Sequence, residues 1–213
     1  MKAFDHITTR LLSAGFLAAL ALPAWAAEQT YALDPTHTQV QANWNHLGFS
    51  NPGAAFSIKE GTLIWNDENP LDSSVTVTIP VNSVDTRVPM LDETMRTEYF
   101  KAGEFPDITF ESTGATRVGQ SDDYRITGDL TMHGVTRPVV LDATLNHMGE
   151  HPMLETPAIG FDATTTIRRS EFGLDAEVPF VSDEVTITIT GEAVDPAALE
   201  GFLEMIEYAP QWD

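Results

Sequence analysis

The fold is indicated most clearly by a short alternation near the C-terminus, Val185-Thr186-Ile187-Thr188-Ile189-Thr190, in which every second residue is a threonine. An earlier stretch, Ser74-Val75-Thr76-Val77-Thr78-Ile79, repeats the pattern. Successive side chains of a β-strand point to opposite faces, so each stretch forms a strand with one apolar face and one face of hydroxyl groups. We therefore predict half-buried strands and an all-β fold.

Six weaker alternations bring the predicted number of strands to about eight. They lie at residues 40–44, 56–65, 108–110, 126–132, 139–145 and 159–163, with turn-forming residues between them. Eight antiparallel strands bury their apolar faces either as a two-sheet sandwich or as a closed barrel, and periodicity does not choose between these two. An outer-membrane barrel is disfavoured, because its strands need roughly nine to eleven residues and most of these runs are shorter.

Two segments depart from the strand pattern and predict helices. Within residues 89–101, Leu91, Met95 and Tyr99 lie four residues apart, which suits a short helix across a barrel end or a sheet edge. Near the C-terminus, Asp195 and Pro196 supply an N-cap and a first-turn proline. The apolar positions that follow are Leu199, Phe202, Leu203 and Ile206. This second helix is amphipathic, and it docks on the barrel wall, exchanges between two chains or gates a ligand.

The composition excludes several classes of function. The chain has 213 residues, with 32 Asp and Glu against 11 Lys and Arg, a net charge of -21 and no cysteine. Without cysteine there is no disulfide, thiolate zinc site or cysteine nucleophile. The acidic surplus opposes binding to nucleic acid and to anionic bilayers, because both are bound mainly through Lys and Arg.

The first 26 residues are typical of a secretory signal peptide. Lys2 and Arg10 precede an apolar run over residues 11–22, and Ala24-Trp25-Ala26 offers small residues for cleavage. A membrane anchor needs about 20 apolar residues, so this run is too short to span a bilayer. We predict a signal peptide over 1–26, a β-domain over 27–194, a helical extension over 195–213 and a periplasmic location.

Four blocks of sequence, taken in order, carry a resemblance to a known family. They are Tyr31-Ala32-Leu33-Asp34-Pro35-Thr36-His37-Thr38, Phe105-Pro106-Asp107-Ile108-Thr109-Phe110-Glu111-Ser112-Thr113, Gly128-Asp129-Leu130-Thr131-Met132-His133-Gly134-Val135-Thr136-Arg137-Pro138-Val139 and Arg169-Ser170-Glu171-Phe172-Gly173-Leu174. Together they resemble the YceI-like family over residues 29–194. The resemblance implies a secreted, eight-stranded, antiparallel, lipocalin-like β-barrel that holds a long isoprenoid or related lipid in its interior. It implies a binding module rather than an enzyme, and it leaves open whether two chains pair as a homodimer.

The apolar residues expected to face the barrel interior form one uncharged set. They are Val40, Trp44, Phe49, Phe56, Val75, Val77, Ile79, Phe100, Phe110, Met132, Leu141, Phe161 and Phe172. Removing apolar surface from water is worth roughly 25 cal/mol per Å², so a tunnel lined in this way binds a hydrocarbon chain by its length. Ala42 lies where the family usually has a larger aromatic residue, which predicts a wider tunnel there. The alternative is a barrel filled by these side chains, as in most protein interiors.

A lipid with a polar head group needs hydrogen-bond donors at the tunnel opening. The candidates are His46, Arg96, His133, Arg137 and Arg169. Arg presents a planar fork of donors to phosphate or carbonyl oxygens. In the rival interpretation each Arg forms a weak surface ion pair with a nearby acid. The acids considered are Glu93, Asp142 and Glu171.

The chain contains none of the common catalytic signatures. There is no Gly-x-Ser-x-Gly, His-Glu-x-x-His or glycine-rich phosphate loop. His147, Glu150 and His151 lie in a segment with a glycine, which does not fix a tetrahedral metal site. We expect a non-enzymatic protein without metal, which does not span a membrane and which sequesters or carries an isoprenoid quinone, a polyprenyl phosphate or a fatty-acid derivative. The alternative is a periplasmic stress or interaction protein with a filled barrel.

Overall fold

Strands make up most of the computed structural model, which describes residues 28–66, 68–69 and 72–207. Its ten described strands are β1 (Glu28–Leu33), β2 (Gln39–His46), β3 (Gly53–Ser57), β4 (Glu60–Asn66), β5 (Ser74–Pro80), β6 (Asp107–Arg117), β7 (Asp123–Met132), β8 (Val135–Glu150), β9 (Pro157–Arg168) and β10 (Val181–Val194). The described α-helices are α1 (Pro89–Thr94), which continues into one turn of π-helix (Met95–Tyr99), and α2 (Pro196–Met205). Within the described part of the chain, no helix has the length and apolar character needed to cross a bilayer.

Eight of these strands close into a ring. Neighbouring strands pair antiparallel in the order β1-β4-β5-β6-β7-β8-β9-β10, and β10 returns to β1 by pairing Leu33 with Ala193 and Ala32 with Val194. This closure confirms the eight-stranded antiparallel barrel and decides against the two-sheet sandwich. A closed sheet of this size has an interior just wide enough for packed side chains or for one small ligand.

The remaining strands, β2 and β3, extend one end of the barrel as a hairpin. β2 pairs with the first part of β10, so that Val40 lies opposite Ile189. β3 pairs with β2, and its outer edge is covered because the backbone of Ala55 exchanges hydrogen bonds of 2.8 and 2.9 Å with Asp85. We call the end of the barrel that carries the β2–β3 turn the hairpin end, and the opposite end the far end.

Strand direction assigns each connection to one of the two ends. The hairpin end carries the β5–β6 connection with α1, the β7–β8 turn and the β9–β10 connection. The far end carries the turns between β4 and β5, between β6 and β7, and between β8 and β9. α1 therefore lies at a barrel end, which confirms the short helix predicted over 89–101.

The structure has two strands more than the sequence analysis predicts. Residues 56–65 do not form one strand, because β3 pairs with β2 whereas β4 pairs with β1, and Ile58 and Lys59 separate them. Strand β1 is absent from the prediction although Tyr31 and Leu33, at 1% and 3% exposure, alternate with more exposed neighbours. Two buried positions in six residues are too short an alternation to stand out.

Helix α2 begins where the sequence predicts it. The side chain of Asp195 accepts hydrogen bonds from the backbone N–H groups of Ala197 and Ala198, at 3.0 and 3.1 Å, which caps the helix. Leu199 is buried, and the helix packs against β1 on the barrel wall. Residues 208–213 and the predicted signal peptide over 1–26 lie outside the described residues, so the domain boundaries stay predictions.

A buried carboxylate fixes the bend between β1 and β2. Asp34, 4% exposed, accepts hydrogen bonds from the backbone N–H and the hydroxyl of Thr36, at 2.8 and 2.6 Å, and from Nδ1 of His37 at 2.7 Å. The hydrogen bond to Asp34, helped by the charge of the carboxylate, raises the pKa of His37 above its ordinary value of 6.5. Before this bend β1 pairs with β4, and after it β2 pairs with β3.

The Asp34→Asn variant is expected to return the pKa of His37 towards 6.5. A histidine whose pKa is raised by folding contributes stability that is fully present below the unfolded-state pKa and is lost as the pH rises through the folded-state pKa. The free energy of unfolding of the wild type should therefore exceed that of His37→Gln by more at acidic than at alkaline pH. NMR titration of the imidazole checks the pKa directly, and identical titration of His37 in the wild type and Asp34→Asn would contradict the assignment.

Candidate functional site

A cavity of about 840 Å³ lies inside the barrel. The strands build it by alternation, because Val75, Val77 and Ile79 of β5 line the cavity whereas Thr76 between them is exposed on the outside. The apolar residues of the alternation in β10 line the cavity in the same way. The volume lies in the upper part of the range found for small-molecule sites, about 300–1,000 Å³. The barrel is therefore hollow rather than filled by its own side chains.

Eleven of the thirteen apolar residues predicted to face a tunnel line this cavity. They are Val40, Trp44, Phe56, Val75, Val77, Ile79, Phe100, Phe110, Met132, Leu141 and Phe161. Phe49 lies instead in the β2–β3 turn with 90% of its surface exposed. Phe172, 1% exposed, lies in a short 3-10 turn after β9 and is buried in the core beside the cavity. Contact between any of these side chains and a ligand stays a prediction.

Small side chains hold the middle of the cavity open. Ala143 of β8 and Ala163 of β9 lie opposite each other and both line it, as does Ala42 of β2, where a wider tunnel is expected. The ring of Phe110 lies against the backbone of Gly128, where a β-carbon would overlap the ring. This aromatic side chain therefore follows the wall, and the lumen stays free.

Aromatic rings close the far end of the cavity. Trp65 and Tyr124 meet edge to face with ring centroids 5.3 Å apart, and both line the cavity together with Leu33 and Ile159. None of these four residues belongs to the predicted lining. Trp65 and Ile159 already lie within predicted strands, and extending the alternation at Ile126 by one step would have found Tyr124. Leu33 lies in β1, which the sequence analysis did not predict.

Among the residues that the structure describes, every charged residue that lines the cavity lies at the hairpin end, and we call this opening the mouth. They are Glu98, Lys101, Arg169, Asp175 and Glu177, and they are joined by His46 and His133. The helical segment covers part of the mouth, since Leu91, Met95 and Tyr99 line the cavity from above as their spacing predicts. The site thus has a closed apolar end and an open polar end.

Arg169 organises the mouth through backbone carbonyl groups rather than through an acid. Its guanidinium donates hydrogen bonds to the carbonyl oxygens of Leu174, Val181 and Ser182, at 2.6, 2.9 and 2.9 Å. Leu174 lies within the β9–β10 connection, and Val181 and Ser182 are the first residues of β10. The side chain therefore fixes the shape of that connection, and each of its three nitrogens already has a partner.

The turn that follows β9 is fixed at two further points. The backbone N–H and the hydroxyl of Ser170 each donate to Asp183, both at 2.8 Å, and the first of these hydrogen bonds lowers the pKa of that carboxyl group. Nδ1 of His133 donates to the carbonyl oxygen of Phe172 at 3.0 Å. The His133 ring also packs edge to face on Phe105, and its Nε2 is buried without a hydrogen-bond partner among the described residues. His133 is therefore a structural part of the rim as well as a lining residue.

Two of the predicted head-group residues lie outside the cavity. Arg96 donates a hydrogen bond of 2.8 Å to the carbonyl oxygen of Val84, which ties the helical segment to the β5–β6 connection. Arg137 is exposed on β8 and donates to the carbonyl of the preceding residue at 3.3 Å. Asp142, a proposed acid partner, pairs with Arg125 at 3.1 Å. Sequence reasoning missed the contacts of Arg96 and Arg137 because their partners are carbonyl groups that no side-chain pattern reveals.

His151, near the β8–β9 turn, holds the backbone of that turn. Nδ1 of His151 accepts hydrogen bonds from the backbone N–H groups of Met153 and Leu154, at 3.3 and 3.1 Å. Within residues 28–66, 68–69 and 72–207, no group of three or more His, Asp or Glu side chains is placed to hold a metal ion.

Comparison with known proteins decides the family. Residues 31–193 match the YceI-like domain. The chain belongs to the YceI-like family. A relative of this YceI-like protein, the UPF0312 protein ECA1782 of Pectobacterium atrosepticum, is 36% identical over 184 residues, which cover 86% of this chain and 94% of the relative.

Solved structures share the barrel. BcnA of Burkholderia cenocepacia superposes with a TM-score of 0.65 at 24% identity, covering 75% of this chain and 98% of that protein. A polyisoprenoid binding domain from Saccharophagus degradans superposes with a TM-score of 0.60 at 15% identity, covering 78% of this chain and 98% of that domain. At these identities the likeness shows a common fold.

Gly128→Ala tests how the Phe110 ring is placed. The added methyl group overlaps the ring and also lies 2.7 Å from the backbone carbonyl oxygen of Glu111, so we expect a loss of about 1–3 kcal/mol in the free energy of unfolding. Gly103→Ala is the matched control, because nothing lies within 4 Å of its new β-carbon, and it should stay within about 0.5 kcal/mol of the wild type. Denaturant unfolding measures both variants, and equal stabilities would refute the packing of Phe110 on Gly128.

Proposed function

We propose that this protein is exported to the periplasm and there sequesters or carries one long-chain lipid of isoprenoid or fatty-acid type. The observation that carries the proposal is the cavity, which has apolar walls and a far end closed by Trp65 and Tyr124. The described charged residues that line it lie only at its mouth. The neighbour with the same fold that is described as a polyisoprenoid binding domain supports this class of ligand. The predicted signal peptide supports export.

The size of the cavity limits how much of a lipid it holds. If each non-hydrogen atom takes about 30 Å³, the share of a water molecule in the liquid, the cavity accommodates about 28 such atoms. This corresponds to about five isoprene units or one long acyl chain. The remainder of a longer lipid extends through the mouth, with the polar head group outside the apolar walls.

The driving force is the burial of hydrocarbon. Each CH₂ group moved from water into the cavity contributes about 0.8 kcal/mol, so ten carbons contribute about 8 kcal/mol before the loss of ligand mobility is subtracted. Met95 and Met132 suit a flexible chain, because the thioether side chain adapts its shape. The proposal assigns binding and no chemical step to the cavity, and the acidic surplus opposes a nucleic-acid partner. Pairing of two chains stays a prediction.

The charges at the mouth favour an uncharged head group. Glu98, Asp175 and Glu177 outnumber Lys101 and Arg169, and the donors of Arg169 are engaged with backbone carbonyl groups. A phosphate placed there meets a surplus of like charge and finds few free donors. Among the ligands considered, a neutral quinone or a neutral acyl derivative therefore fits better than a polyprenyl phosphate.

Narrowing the cavity should weaken ligand retention without unfolding the barrel. Val77→Trp places an indole in the lumen, whereas Thr76→Trp, on the neighbouring residue of β5, places it on the outer face. The larger side chain takes up about a quarter of the capacity of the cavity. Native mass spectrometry of protein purified without detergent should therefore show an adduct of several hundred daltons on the wild type and on Thr76→Trp, and a clearly smaller bound fraction on Val77→Trp. A wild type without an adduct that also takes up no added long-chain quinone would overturn the proposal.

Charge at the mouth should set the preference for the head group. We expect a prenyl quinone to compete with a fluorescent fatty acid at least about tenfold more tightly than a polyprenyl phosphate of equal chain length, a difference of about 1.4 kcal/mol. The double variant Glu98→Gln/Glu177→Gln should narrow this ratio, and Glu150→Gln at the far end should not. Tighter binding of the phosphate by the wild type would contradict the assignment.

A further inference from the structure

The hairpin of β2 and β3 is free of formal charge. Residues 35–58 contain no Asp, Glu, Lys or Arg, although 43 of the 213 residues are charged. This is the longest uncharged stretch of the whole chain, and Asp34 and Lys59 border it. A neutral, projecting hairpin is a marked exception on a protein with a net charge of -21.

The tip of this hairpin exposes large apolar side chains. Leu47 is 49% exposed and Phe49 is 90% exposed. The N–H of Phe49 donates to the carbonyl oxygen of His46 at 3.0 Å, and Leu47 and Gly48 both have left-handed backbone angles, φ 57° and φ 76°. Turns of this kind favour Asn and Gly, and the left-handed conformation is strained for a leucine. Stability of the turn does not account for a leucine at position 47.

A third exposed apolar residue joins the tip from the β9–β10 connection. The N–H of Leu47 donates to the carbonyl oxygen of Phe180 at 3.0 Å, which brings the two segments together, and Phe180 is 69% exposed. We call Leu47, Phe49 and Phe180 the tip patch. Exposed apolar residues that gather in one place mark an interaction site more often than scattered ones do.

The tip patch borders the mouth of the cavity. On the hairpin, His46 and Ser50 flank Leu47 and Phe49, and both of these flanking residues line the cavity. Val181, next to Phe180, lines it as well. A surface that holds the tip patch would therefore lie directly at the opening through which a lipid passes.

We propose that the tip patch docks on the surface of a zwitterionic lipid bilayer and places the mouth against it, so that the ligand passes between the bilayer and the cavity without crossing water. The inference rests on the proposed lipid-binding function. Phe side chains at the end of a neutral hairpin enter the boundary between head groups and acyl chains, because burial of their apolar surface is favourable there. Since residues 35–58 carry no formal charge, the hairpin itself brings no ionic group into this boundary.

The charge of the molecule selects the kind of bilayer. Asp175 and Glu177 stand at the mouth beside the tip patch, and the chain as a whole is strongly acidic. An anionic bilayer repels such a surface, whereas a zwitterionic one does not. Added salt screens this repulsion, so binding to anionic vesicles should rise with ionic strength, opposite to the behaviour of basic peripheral proteins.

A second copy of the chain fits the tip patch less well. Three partly exposed side chains, at up to about 250 Å² each, offer roughly 400 Å² of apolar surface. A stable protein interface needs about 800 Å² on each partner. The patch is therefore too small to hold a dimer by itself, but it is large enough for shallow contact with a bilayer.

Vesicle flotation tests the proposal. The processed chain, with its N-terminus verified by mass, is mixed with phosphatidylcholine vesicles and with vesicles that contain phosphatidylglycerol. Phe49→Ser/Phe180→Ser removes the patch without touching the strained Leu47. Val118→Ser/Met153→Ser is the matched control, because these residues, 44% and 81% exposed, lie in turns at the far end.

We expect the wild type and the far-end control to float with phosphatidylcholine vesicles, and the tip variant to lose roughly tenfold or more of this binding. Binding to the anionic vesicles should be weaker at low salt and should increase with salt. A wild type that does not float, a tip variant that floats as well as the control, or stronger binding to anionic vesicles would overturn the proposal. The proposal would also be overturned if sedimentation showed the wild type and the far-end control as dimers and the tip variant as a monomer.

Failure of docking is separable from failure of the proposed function. Binding of a long-chain quinone added from ethanol, followed by quenching of the cavity tryptophans Trp44 and Trp65, needs no vesicle. The tip variant should bind this quinone with the same Kd as the wild type, within about twofold, while its transfer of quinone to vesicles slows. If the wild type binds quinone but does not float, the docking proposal alone fails, and if it floats without binding quinone, the cavity function fails.

Discussion

Closure of the sheet is the constraint on which the rest of the structure depends. Only two residue pairs join β1 to β10, Ala32 with Val194 and Leu33 with Ala193, yet they turn a row of strands into a ring of eight. Once the ring is closed, alternation sends every second side chain to a common axis. Valine and alanine at many of these positions do not reach that axis, and a continuous apolar cavity follows.

The two ends of the ring differ because they are built from different connections. Short turns end the barrel at the far end, and Trp65 and Tyr124 close it from inside. Long connections meet at the hairpin end, where Arg169 joins three backbone carbonyl groups and the helical segment covers part of the opening. This polarity gives the cavity one opening with charged residues, which is the arrangement that a lipid with one polar head group requires.

The alternation of apolar and polar residues predicted the walls of the cavity well and the two ends of the cavity poorly. Val75, Val77 and Ile79 face inward as predicted, because a period of two defines the two faces of a strand without tertiary information. Phe49 illustrates the limit of this pattern. At the end of a strand, the conformation of the turn decides which way a side chain points, and the period of two does not. Arg169 is another limit, because its partners are backbone carbonyl groups 5, 12 and 13 residues away. Whether the barrel is hollow depends on side-chain size around the whole ring, and no single strand reveals it.

The central claim is that a lipid chain occupies the barrel axis. The most direct measurement is an experimental structure of the protein purified without detergent and supplied with a long-chain prenyl quinone. The account predicts continuous elongated density that runs from Trp65 and Tyr124 past Ala143 and Ala163 to the mouth, with the ring of the quinone near Lys101. A lumen collapsed around its own side chains, or one that contains only ordered water, would contradict it.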